Sequence, residues 1–577
     1  MKIQQVQIHN FRSIKDVTFK LDNYSLLVGE NNAGKTTIIT AIRMFYAERG
    51  LAFSDERDFP KFATNDKECW VEIKFITTDD EQETLKEEYR SADKILTVRK
   101  YLKSDTKDYK NNLYAYEDGE LTHTNQFYGS TNVGQGKLGK ILYIPALSKT
   151  DDGLKMSGPS PLRDMVNFVF EKVIEKSPSY KGLSDAFEVF NEAVGKEENE
   201  DGFSLANLTE DINNEIGQFG LGFGLGVNTI KPTDIVKNLI SHTFKDFNLN
   251  SNIDDVSALG QGVQRHLIYT LIKLSSKYTE KKKERKKDFT PELTVILFEE
   301  PEAFLHPSQQ EQLNLSLRVL AQEDDQQILI TTHSATFVSK NILEIKNIAR
   351  VNKEKGQTQI YQISDQQLSD LLDENQGLYN HFCNLLNNPT TDAGFKKKIL
   401  EKGLADSMPD HSKQLEQESM RYLLWLDAER ASLFFAKHIV ICEGATEKVF
   451  IDYLLHEDWK DLKVLHIYLL DALGKYNIHR FMNLLGALGV KHSIFMDKDL
   501  DKDIHKEINS FIVNHQNRFT KGIHMFDEDL EVFFGIQKPE KRKDMKPINI
   551  MMYHKKGLID AIKLVEFRQI YENQINK

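Results

Sequence analysis

The sequence predicts an α/β protein of several domains, and three observations support that prediction. The chain has 577 residues, too many for one ordinary hydrophobic core, so about three or four structural units are expected. Near the start, the apolar residues 26–28 run directly into a glycine-framed turn and a helix. From residue 437 onward, apolar strands alternate with helical segments, a rhythm typical of a parallel sheet covered by helices.

The composition is that of a folded protein without a membrane anchor. Hydrophobic residues make up 40% of the chain and charged residues 28%, and no apolar run approaches the roughly 20 residues needed to cross a bilayer. The opening segment 1–6 resembles a strand rather than a signal peptide, so we expect a cytoplasmic protein. Cys69, Cys383 and Cys442 lie far apart without a paired spacing, which argues against a disulfide framework and a zinc module.

Two segments keep alternative interpretations. The net charge of −12 does not indicate a protein coated in nucleic acid, yet the basic run 281–287 is either a solvated loop, which is favoured, or a loop that contacts DNA. The glycine-rich stretch 217–226 only superficially resembles a dinucleotide fingerprint, because no strand-turn-helix frame surrounds it. We interpret it as a loop or strand turn, with cofactor binding as the remote alternative.

Residues 26–37 have the pattern of a phosphate-binding loop. Gly29 and Gly34 let the backbone amides face an anion, Lys35 supplies a positive charge, and the Thr36 hydroxyl can ligate Mg²⁺ at the start of the next helix. The loop residues that we assign to the nucleotide are Asn31, Gly34, Lys35, Thr36 and Thr37. The sequence therefore predicts binding of ATP or GTP.

Two further apolar strands complete a nucleotide site. The strand over 293–298 delivers Glu299, assigned to Mg²⁺, and Glu300, assigned to the attacking water. Glutamate stands at the first position, where many ATPases have aspartate, and this departure lengthens the reach to the metal. The strand over 328–332 ends at His333, which is placed to contact the γ-phosphate. Together with the loop, these strands predict an ATPase site.

A paired-glycine segment before a predicted helix extends this pattern. Gly260 and Gly262 can present backbone amides to a phosphate held by a second molecule. In this order and spacing, the loop, the two strands and the glycine segment resemble the ABC-type ATPase head, specifically its structural-maintenance-of-chromosomes (SMC) branch. Asn10-Phe11-Arg12 and Leu305-His306-Pro307 add to the resemblance. The resemblance implies that two heads sandwich ATP, that Arg12 belongs to the nucleotide site, and that the chain forms a homodimer or higher homo-oligomer.

The pattern of the chain divides it into five segments. Residues 151–250 of this chain occupy the place where the SMC branch inserts its coiled-coil arm. This segment shows no sustained heptads, so we expect a compact helical insertion that serves dimerisation. The predicted domains are an N-terminal ATPase lobe over 1–150, the insertion over 151–250, a C-terminal ATPase lobe over 251–360, a helical connector over 361–435 and a second parallel-sheet domain over 436–577.

Acidic residues follow the strands of this last domain. Glu443 ends the strand over 438–442, Glu447 lies one helical turn later, and the strand over 493–496 ends in Asp497-Lys498-Asp499. Carboxylates at the ends of parallel strands converge on one edge of the sheet, and Asp-x-Asp points both acids to the same side of an extended chain. Four such acids repel one another unless a divalent cation neutralises them, so the sequence predicts a metal site.

These acids resemble those of a TOPRIM domain, the metal-dependent fold of topoisomerases, primases and certain nucleases. The resemblance implies that Glu443 is catalytic and that Asp497 and Asp499 hold metal. Further candidates in the C-terminal segment are an acidic ligand, for which we favour Glu531, and a positive charge near the scissile phosphate from Lys555 or Lys556.

An SMC-like ATPase followed by a TOPRIM domain resembles the OLD (overcoming lysogenisation defect) family of nucleases, which includes the nuclease component of the Gabija phage defence system. The resemblance covers nearly the whole chain. It implies two divalent ions, Mg²⁺ or Mn²⁺, with Glu447 and Glu531 serving the second ion, which together activate water and stabilise the leaving 3′ oxygen. A separately encoded helicase or retron reverse transcriptase is a candidate partner.

The leading functional hypothesis is an ATP-regulated, divalent-metal-dependent DNA endonuclease or nickase in bacterial antiphage defence. One alternative is an SMC-like DNA-binding ATPase whose TOPRIM half is a structural or sensing module. Another is a topoisomerase-like enzyme. The full set of acids favours the nuclease, because a purely structural sheet does not need them, and no tyrosine is obviously placed for a covalent DNA link. The sequence does not predict whether ATP activates or inhibits cleavage.

Overall fold

The described part of the chain forms two compact units. The computed structural model describes residues 1–48, 50–117, 119–122, 124–129, 131–146, 161–174, 177–194, 197–225, 232–247, 250–253, 259–275, 289–339, 341–406, 416–418, 420–421, 430–463, 467–499, 503–539 and 542–575. The first unit comprises 1–146, 286–302 and 307–577, and the second comprises 147–285 and 303–306. The second unit is longer than the insertion predicted over 151–250.

Strands and helices follow one another along the described residues. The strands are β1 (Lys2–Phe11), β2 (Ile14–Lys20), β3 (Tyr24–Val28), β4 (Cys69–Ile76), β5 (Ile95–Lys103), β6 (Leu113–Glu117), β7 (Glu120–Leu121), β8 (Lys140–Ile144), β9 (Phe244–Asp246), β10 (Ser251–Ile253), β11 (Thr294–Glu299), β12 (Gln326–Thr331), β13 (Ile348–Glu354), β14 (Gln357–Gln362), β15 (His438–Cys442), β16 (Ile467–Asp471), β17 (Lys491–Asp497) and β18 (Thr520–Phe526). The helices are α1 (Lys35–Phe45), α2 (Asp55–Asp58), α3 (Asp79–Thr84), α4 (Thr131–Gly136), α5 (Pro161–Ile174), α6 (Pro178–Val194), α7 (Leu205–Ile216), α8 (Pro232–Leu239), α9 (Gln261–Ser275), α10 (Pro307–Leu320), α11 (Asp365–Asn375), α12 (Gly377–Asn387), α13 (Ala393–Glu401), α14 (Ala445–Glu457), α15 (Lys460–Lys463), α16 (Ile478–Ala487), α17 (Asp503–Asn514), α18 (Leu530–Phe533), α19 (Lys546–Lys555) and α20 (Ala561–Ile575). The α/β fold class predicted from the sequence is confirmed.

The head of the first unit is built from two sheets around helix α1. One sheet is antiparallel with the order β2-β1-β4-β5-β6-β7, and the other has the order β14-β13-β3-β12-β11-β8. In the second sheet all neighbours are parallel except β13 and β14, which form an antiparallel hairpin. Apolar residues at helical spacing, among them Ile38 and Ile42, bury one face of α1 in a core shared with Val6 and Leu297. This packing fixes the start of α1 against the ends of β3 and β11.

The C-terminal domain of the first unit contains a fully parallel sheet. Its strand order is β16-β15-β17-β18. The central strands β15 and β17 are buried over most of their length, as expected for strands covered by helices on both faces. Helices α14 and α20 pack on this sheet through an aromatic core that includes Phe450 and Phe567. The alternation predicted from residue 437 onward is therefore confirmed as a parallel sheet.

The second unit is mainly helical where it is described. Met165 of α5 and Leu271 of α9 form a small core, whereas α6 and α7 contain no buried residue. The predicted loop over 217–226 begins as a 3₁₀ turn at Gly217–Phe219, and the side chain of Asn213 hydrogen-bonds to both backbone groups of Phe223. Its last residue lies outside the described residues, as does the basic run 281–287.

Two elements of the second parallel-sheet domain lead up to its central strands. Strand β16 ends at Asp471, and residues 464–466 before it lie outside the described part. A 3₁₀ turn at Lys475–Asn477 leads directly into α16. Among the helices that the structure describes, none combines the length and apolarity needed to cross a bilayer.

Candidate functional site

The phosphate-binding loop (residues 29–37) joins β3 to α1 in a backbone path that requires glycine. Gly29 and Gly34 have φ angles of 142° and 117°, which L side chains rarely adopt. The Lys35 ammonium donates to the carbonyls of Gly29 at 2.8 Å and Glu30 at 2.9 Å. No side chain caps the start of α1, so its first amides point at the space inside the loop. The geometry is that of an anion-binding helix N-terminus.

Glu299, Glu300 and His333 lie at the same sheet edge as this loop. The strands β3, β12 and β11 are adjacent and parallel, so their carboxyl ends lie side by side. The Tyr143 hydroxyl donates to Glu299 Oε2 at 2.9 Å, whereas Glu299 Oε1 is buried and accepts no hydrogen bond from the described residues. His333 Nε2 lies 3.6 Å from Glu300 Oε1.

Burial lowers the pKa values of the two basic residues at this sheet edge. Burial lowers the pKa of Lys35 to about 8, opposed by the nearby glutamates, of which Glu300 has the largest effect. Burial also lowers the pKa of His333, and the Lys35 charge lowers it further. Glu300 has a φ of 44°, an uncommon conformation for a residue other than glycine and one that clusters at functional sites. A nucleotide phosphate with its divalent ion would satisfy both the lysine and the unpaired Glu299 oxygen.

The other residues assigned to the nucleotide lie in several places. Asn31 and Thr36 are exposed on the loop. Arg12 Nε donates to Oδ1 of the buried Asp58 at 2.9 Å. In the second unit, Gly260 is exposed immediately before α9, and a Cβ placed on it would meet no atom within 4 Å. The remaining two are Thr37, partly buried in the first turn of α1, and Gly262, partly buried in the first turn of α9.

In the C-terminal domain, the ends of β15 and β17 bring Glu443 and Asp497 together. Cys442 pairs with Phe495 in the register of the two strands, so the acids that follow them are neighbours. The amide of Asp497 donates to Glu443 Oε2 at 3.0 Å, and the amide of Glu443 donates to the carbonyl of Phe495 at 2.9 Å. The sheet itself therefore fixes the spacing of these two carboxylates.

Lys475, which the sequence analysis did not identify, lies between these acids. Its side chain is 1% exposed, and its ammonium lies 3.6 Å from Glu443 Oε2 and 3.1 Å from Asp499 Oδ2. It also donates to the carbonyl of Asp497 at 2.5 Å. A single ammonium group contacts both acids, so the carboxylates of Glu443 and Asp499 lie close to each other. His505 Nδ1 approaches Asp499 Oδ2 from α17 at 2.9 Å.

Burial and mutual repulsion raise the pKa values of Asp497 and Glu447 at this site. Burial raises the pKa of Asp497 to about 9, and the charges of Glu447 and Glu443 raise it further. Burial also raises the pKa of Glu447 to about 7, with Glu443 and Glu531 adding to the shift. The Glu447 carboxylate accepts from the Gly444 amide at 3.1 Å, which orients it at the start of α14. A divalent cation would displace these protons and stabilise the charged forms.

Glu531 belongs electrostatically to the same group and has its own cation. It is 1% exposed on the short helix α18, and its Oε1 lies 3.3 Å from the ammonium of Lys546. Lys546 is the first residue of α19, whereas the predicted Lys555 is the last residue of that helix and is exposed. Since an α-helix rises about 1.5 Å per residue, the nine-residue separation places the two lysines about 13 Å apart along the axis. Lys556 is exposed beyond the helix.

The acid cluster, defined as Glu443, Glu447, Asp497, Asp499 and Glu531, fits a hard divalent cation by its chemistry. Within the described residues no three acidic, histidine or cysteine groups form a ready-made ion cage. Asp497 Oδ1, however, is buried and accepts no hydrogen bond from these residues. The cluster offers only carboxylate oxygens, the ligands that Mg²⁺ and Mn²⁺ prefer. These residues would hold such an ion, which would supply water activation when bound.

Sequence reasoning missed Lys475, Lys546 and Tyr143, although two of them carried a usable signal. Lys475 follows Gly474 just after β16, so the rule that singled out the acids after β15 and β17 applies to it as well. Lys546 precedes a proline, a favoured first-turn residue of helices, which indicates the helix end nearer to Glu531. Tyr143 carried no local signal, because only the pairing of β8 with β11 brings it to Glu299.

Two protein families match this chain. The family described as "AAA ATPase domain" matches residues 1–139 and 175–338. The family described as "Overcoming lysogenization defect protein-like, TOPRIM domain" matches residues 434–499, which include Glu443, Glu447, Asp497 and Asp499. The first match contains the phosphate-binding loop, Glu299 and His333, and the second contains the acids that follow β15 and β17.

Individual proteins are similar to most of the chain. The Old nuclease of Escherichia phage P2 is 24% identical over 531 residues, which cover 88% of this chain and 80% of the nuclease. Endonuclease GajA of Bacillus cereus strain VD045 is 23% identical over 87% of this chain and 75% of its own length. The SMC head domain from Thermotoga maritima covers 63% of this chain and 100% of its own, at 12% identity and a TM-score of 0.29.

Proposed function

The chain belongs to the AAA ATPase domain family and carries an OLD-like TOPRIM domain, and from this we propose that it is an ATP-regulated, divalent-metal-dependent DNA endonuclease or nickase. The observation that carries the proposal is the meeting of Glu443 and Asp497 at one sheet edge, where the amide of Asp497 donates to Glu443 Oε2 at 3.0 Å. Relatives over most of the chain are a nuclease and an endonuclease by name. We also propose a role in antiphage defence, acting in the cytoplasm.

We assign roles to the acid cluster from its geometry and charge. Glu443, Asp497 and Asp499 would hold one ion, and Glu447 and Glu531 the second, with Mg²⁺ or Mn²⁺ as the metal. The contact between Lys546 and Glu531 makes Lys546 a candidate, beside Lys555, for the positive charge near the scissile phosphate. A basic side chain there would offset the charge that develops on the phosphate oxygens.

The head is assigned to nucleotide binding and control. Lys35, Thr36 and the loop amides would bind the phosphates of ATP, Glu299 the accompanying Mg²⁺, and Glu300 the attacking water. Gly260 and Gly262 would complete the site of a second copy. This arrangement lets ATP shift an equilibrium between closed and open heads, and only a difference in affinity for those states can change cleavage.

A homodimer, or a higher homo-oligomer, is proposed through the helical insertion as well as the heads. Exposed apolar side chains on α6 and α7 support this, because contiguous apolar patches on a protein surface mark interaction sites. Val189 is 70% exposed, Phe190 52% and Leu208 49%. Replacing Val189 and Phe190 with glutamate should lower the mass measured by light scattering. A mass equal to that of the parent would reject the insertion as the interface.

The test of the function is incubation of supercoiled plasmid with Mg²⁺ or Mn²⁺, with and without ATP. Nicked or linear product, lost when Asp497 and Asp499 are both replaced by alanine while ATP binding persists, is the expected result. Relaxed but intact circles would indicate a topoisomerase. Unchanged plasmid together with ATP-dependent DNA binding would indicate a DNA-binding ATPase, and undiminished cutting by the double variant would reject the site.

A further inference from the structure

The hairpin β13–β14 packs directly against the phosphate-binding loop. Strand β13 is parallel to β3, with Arg350 opposite Val28, the residue before the loop. A Cβ on Gly29 would lie 2.0 Å from the carbonyl oxygen of Val351, a distance that no side chain can adopt. The first turn of the loop is therefore in direct backbone contact with β13.

The second strand of the hairpin contacts the other end of the loop. The hydroxyl of Thr358 on β14 donates to the carbonyl of Ala33 at 2.9 Å. A Cβ on Gly34 would lie 2.4 Å from that same hydroxyl oxygen. Both glycines that shape the loop thus rest on one hairpin, and a change in the loop cannot occur without a response of the hairpin or a gap between them.

The same hairpin reaches into the TOPRIM domain through Arg350. Its guanidinium donates from one terminal nitrogen to the carbonyls of Leu488 at 3.3 Å and Gly489 at 3.1 Å, and from the other to the carbonyl of Ala436 at 2.9 Å. The ring of Tyr361 adds a second contact, because a Cβ on Gly489 would lie 2.5 Å from it.

These carbonyls stand directly before the two strands that carry the candidate metal ligands. Ala436 lies two residues before β15, which leads to Glu443, and Gly489 lies two residues before β17, which leads to Asp497. The guanidinium therefore ties together the starting ends of both strands. A shift of Arg350 would act on the starts of β15 and β17, the two strands that lead to these acids.

Arg350 is an unusual residue for a merely structural contact. Its side chain is 2% exposed, and Nε makes no hydrogen bond among the described residues. Its described hydrogen-bond acceptors are neutral carbonyls, and burial lowers its pKa to about 10, opposed chiefly by Glu30 of the phosphate-binding loop. The acid with the largest opposing effect on this buried cation therefore belongs to the nucleotide loop, while its hydrogen-bond acceptors belong to the TOPRIM domain.

We propose that Arg350 is a positioning residue of the nuclease site and that the β13–β14 hairpin transmits the nucleotide state of the phosphate-binding loop to it. The proposal rests on the proposed function and concerns the regulation of that site. ATP phosphates occupy the loop amides and add negative charge near Glu30, which favours a different hairpin position. Arg350 conveys that change to the starts of β15 and β17. The hairpin is the physical link that a coupling free energy between the two sites requires.

The first test compares plasmid cleavage rates with and without ATP in the full chain and in Arg350→Gln. Whatever rate the variant retains, the ratio of its rates with and without ATP should approach about 1 from whichever side the parent ratio lies, while ATP affinity stays within about threefold of the parent. Arg99→Gln is the matched control, since Arg99 is a largely buried arginine paired with Glu72 on the antiparallel sheet. It should keep the parent ratio.

Three outcomes of this assay overturn the proposal. They are a parent rate that does not respond to ATP, an Arg350→Gln protein that responds as the parent does, and an Arg99→Gln protein that loses the response equally. Should Arg350→Gln fail to fold, Tyr361→Ala perturbs the same contact from a half-buried position, and it should move the ratio part of the way toward 1. A parent-like ratio in that variant also overturns the proposal.

Hydrogen exchange separates this proposal from the nuclease assignment. Added ATP should change amide exchange in segments 436–443 and 488–497 of the parent, and this change should vanish in Arg350→Gln but persist in Arg99→Gln. The measurement needs no DNA cleavage, so it succeeds even for a chain that cuts nothing. Exchange in these segments that ignores ATP in the parent, or that responds equally in Arg350→Gln, would overturn the coupling whatever the plasmid assay shows.

Discussion

The two sites lie at equivalent places, the carboxyl ends of parallel strands, yet they are electrostatically incomplete in opposite senses. At the head, glycine turns and open helix amides surround Lys35, and burial lowers its pKa to about 8. In the TOPRIM domain the same kind of edge gathers acids, and burial raises the pKa of Asp497 to about 9. The comparison teaches that sheet topology selects where a site forms, while the residues at the strand ends select an anion or a cation as the ligand.

Removing one acid should have the largest effect and should be confined to one site. Glu443→Gln keeps the shape of the side chain but removes the charge that a metal ion requires, so plasmid cleavage should fall by about 10³-fold or more. ATP affinity, measured by titration of a fluorescent analogue, should stay within about twofold. Glu566→Gln, an exposed acid on α20, is the control and should cleave as the parent does. A Glu443→Gln protein that loses ATP binding as well would break the separation of the sites.

The converse change should act on the head. Lys35→Met removes the ammonium that faces the nucleotide phosphates, and ATP affinity should fall by about 100-fold, or about 2.7 kcal/mol. Cleavage in the absence of nucleotide should persist, because the acid cluster does not use this lysine. Titration of ATP and the plasmid assay without ATP measure the two effects. A variant that binds ATP normally would contradict the assignment of the loop.

Much of this comparison was predictable from local patterns. Gly29, Lys35 and the apolar strand before them have the spacing of a phosphate-binding loop, and Glu443 and Asp497 stand at the ends of short, buried strands. Such signals lie within about ten residues of chain, where strand and helix periodicity is informative. The fold class and the strand ends at which the candidate residues lie followed from them, while the roles of those residues stay predictions.

The residues that sequence reasoning missed depend on contacts distant in sequence. Tyr143 meets Glu299 only because β8 pairs with β11, and Arg350 meets Gly489 only because the hairpin packs on the TOPRIM domain. No periodicity within either segment encodes such a meeting. The sequence analysis named Lys555 or Lys556 for the positive charge, whereas Lys546, at the other end of the same helix, contacts Glu531.

Variants of these two lysines test which end of helix α19 supplies a positive charge to the nuclease site. Lys546→Met should reduce the cleavage rate by about 10- to 100-fold, because it removes the ammonium 3.3 Å from Glu531 Oε1. Lys555→Met should change the rate by less than about threefold. Single-turnover cleavage at saturating Mn²⁺ measures both variants side by side. A larger loss in Lys555→Met would restore the prediction made from sequence.

The raised pKa values of two acids in the cluster predict a pH dependence of metal binding. Asp497 and Glu447, with pKa values of about 9 and about 7, hold protons that an ion must displace. Mn²⁺ affinity should therefore rise by about a thousandfold between pH 6 and pH 8, about 90-fold from Asp497 and about tenfold from Glu447. Calorimetry in buffers of different ionisation enthalpy should show net proton release. Asp497→Asn, which has no proton to lose, should show a weaker dependence.

The same shifts set the sign of stability against pH in the ion-free protein. A carboxyl whose folded pKa is raised binds more protons folded than unfolded, from the unfolded value near 4 up to the folded value. The free energy of unfolding should therefore fall as pH rises through this window in the presence of a chelator, and Asp497→Asn should remove part of the fall. Stability that rises with pH over this range would contradict the assigned burial of the acids.

The smallest expected effect concerns the positioning of Glu299 in the head. Tyr143→Phe removes the hydroxyl that donates to Glu299 Oε2 at 2.9 Å, leaving the carboxylate less fixed toward the metal of the nucleotide. The rate of Mg²⁺-dependent ATP hydrolysis should fall by about fivefold, or about 1 kcal/mol, with ATP affinity nearly unchanged. Tyr46→Phe is the matched control, because its hydroxyl donates to the carbonyl of Leu138 at 3.1 Å and to no acid. If both variants lose hydrolysis equally, the loss reflects packing of the lobe, and Glu299 needs no partner to act. If only Tyr143→Phe loses hydrolysis, the Mg²⁺ position of the head resembles the acid cluster: a carboxylate is fixed by a hydrogen bond to one oxygen and leaves the other oxygen available for a metal ion.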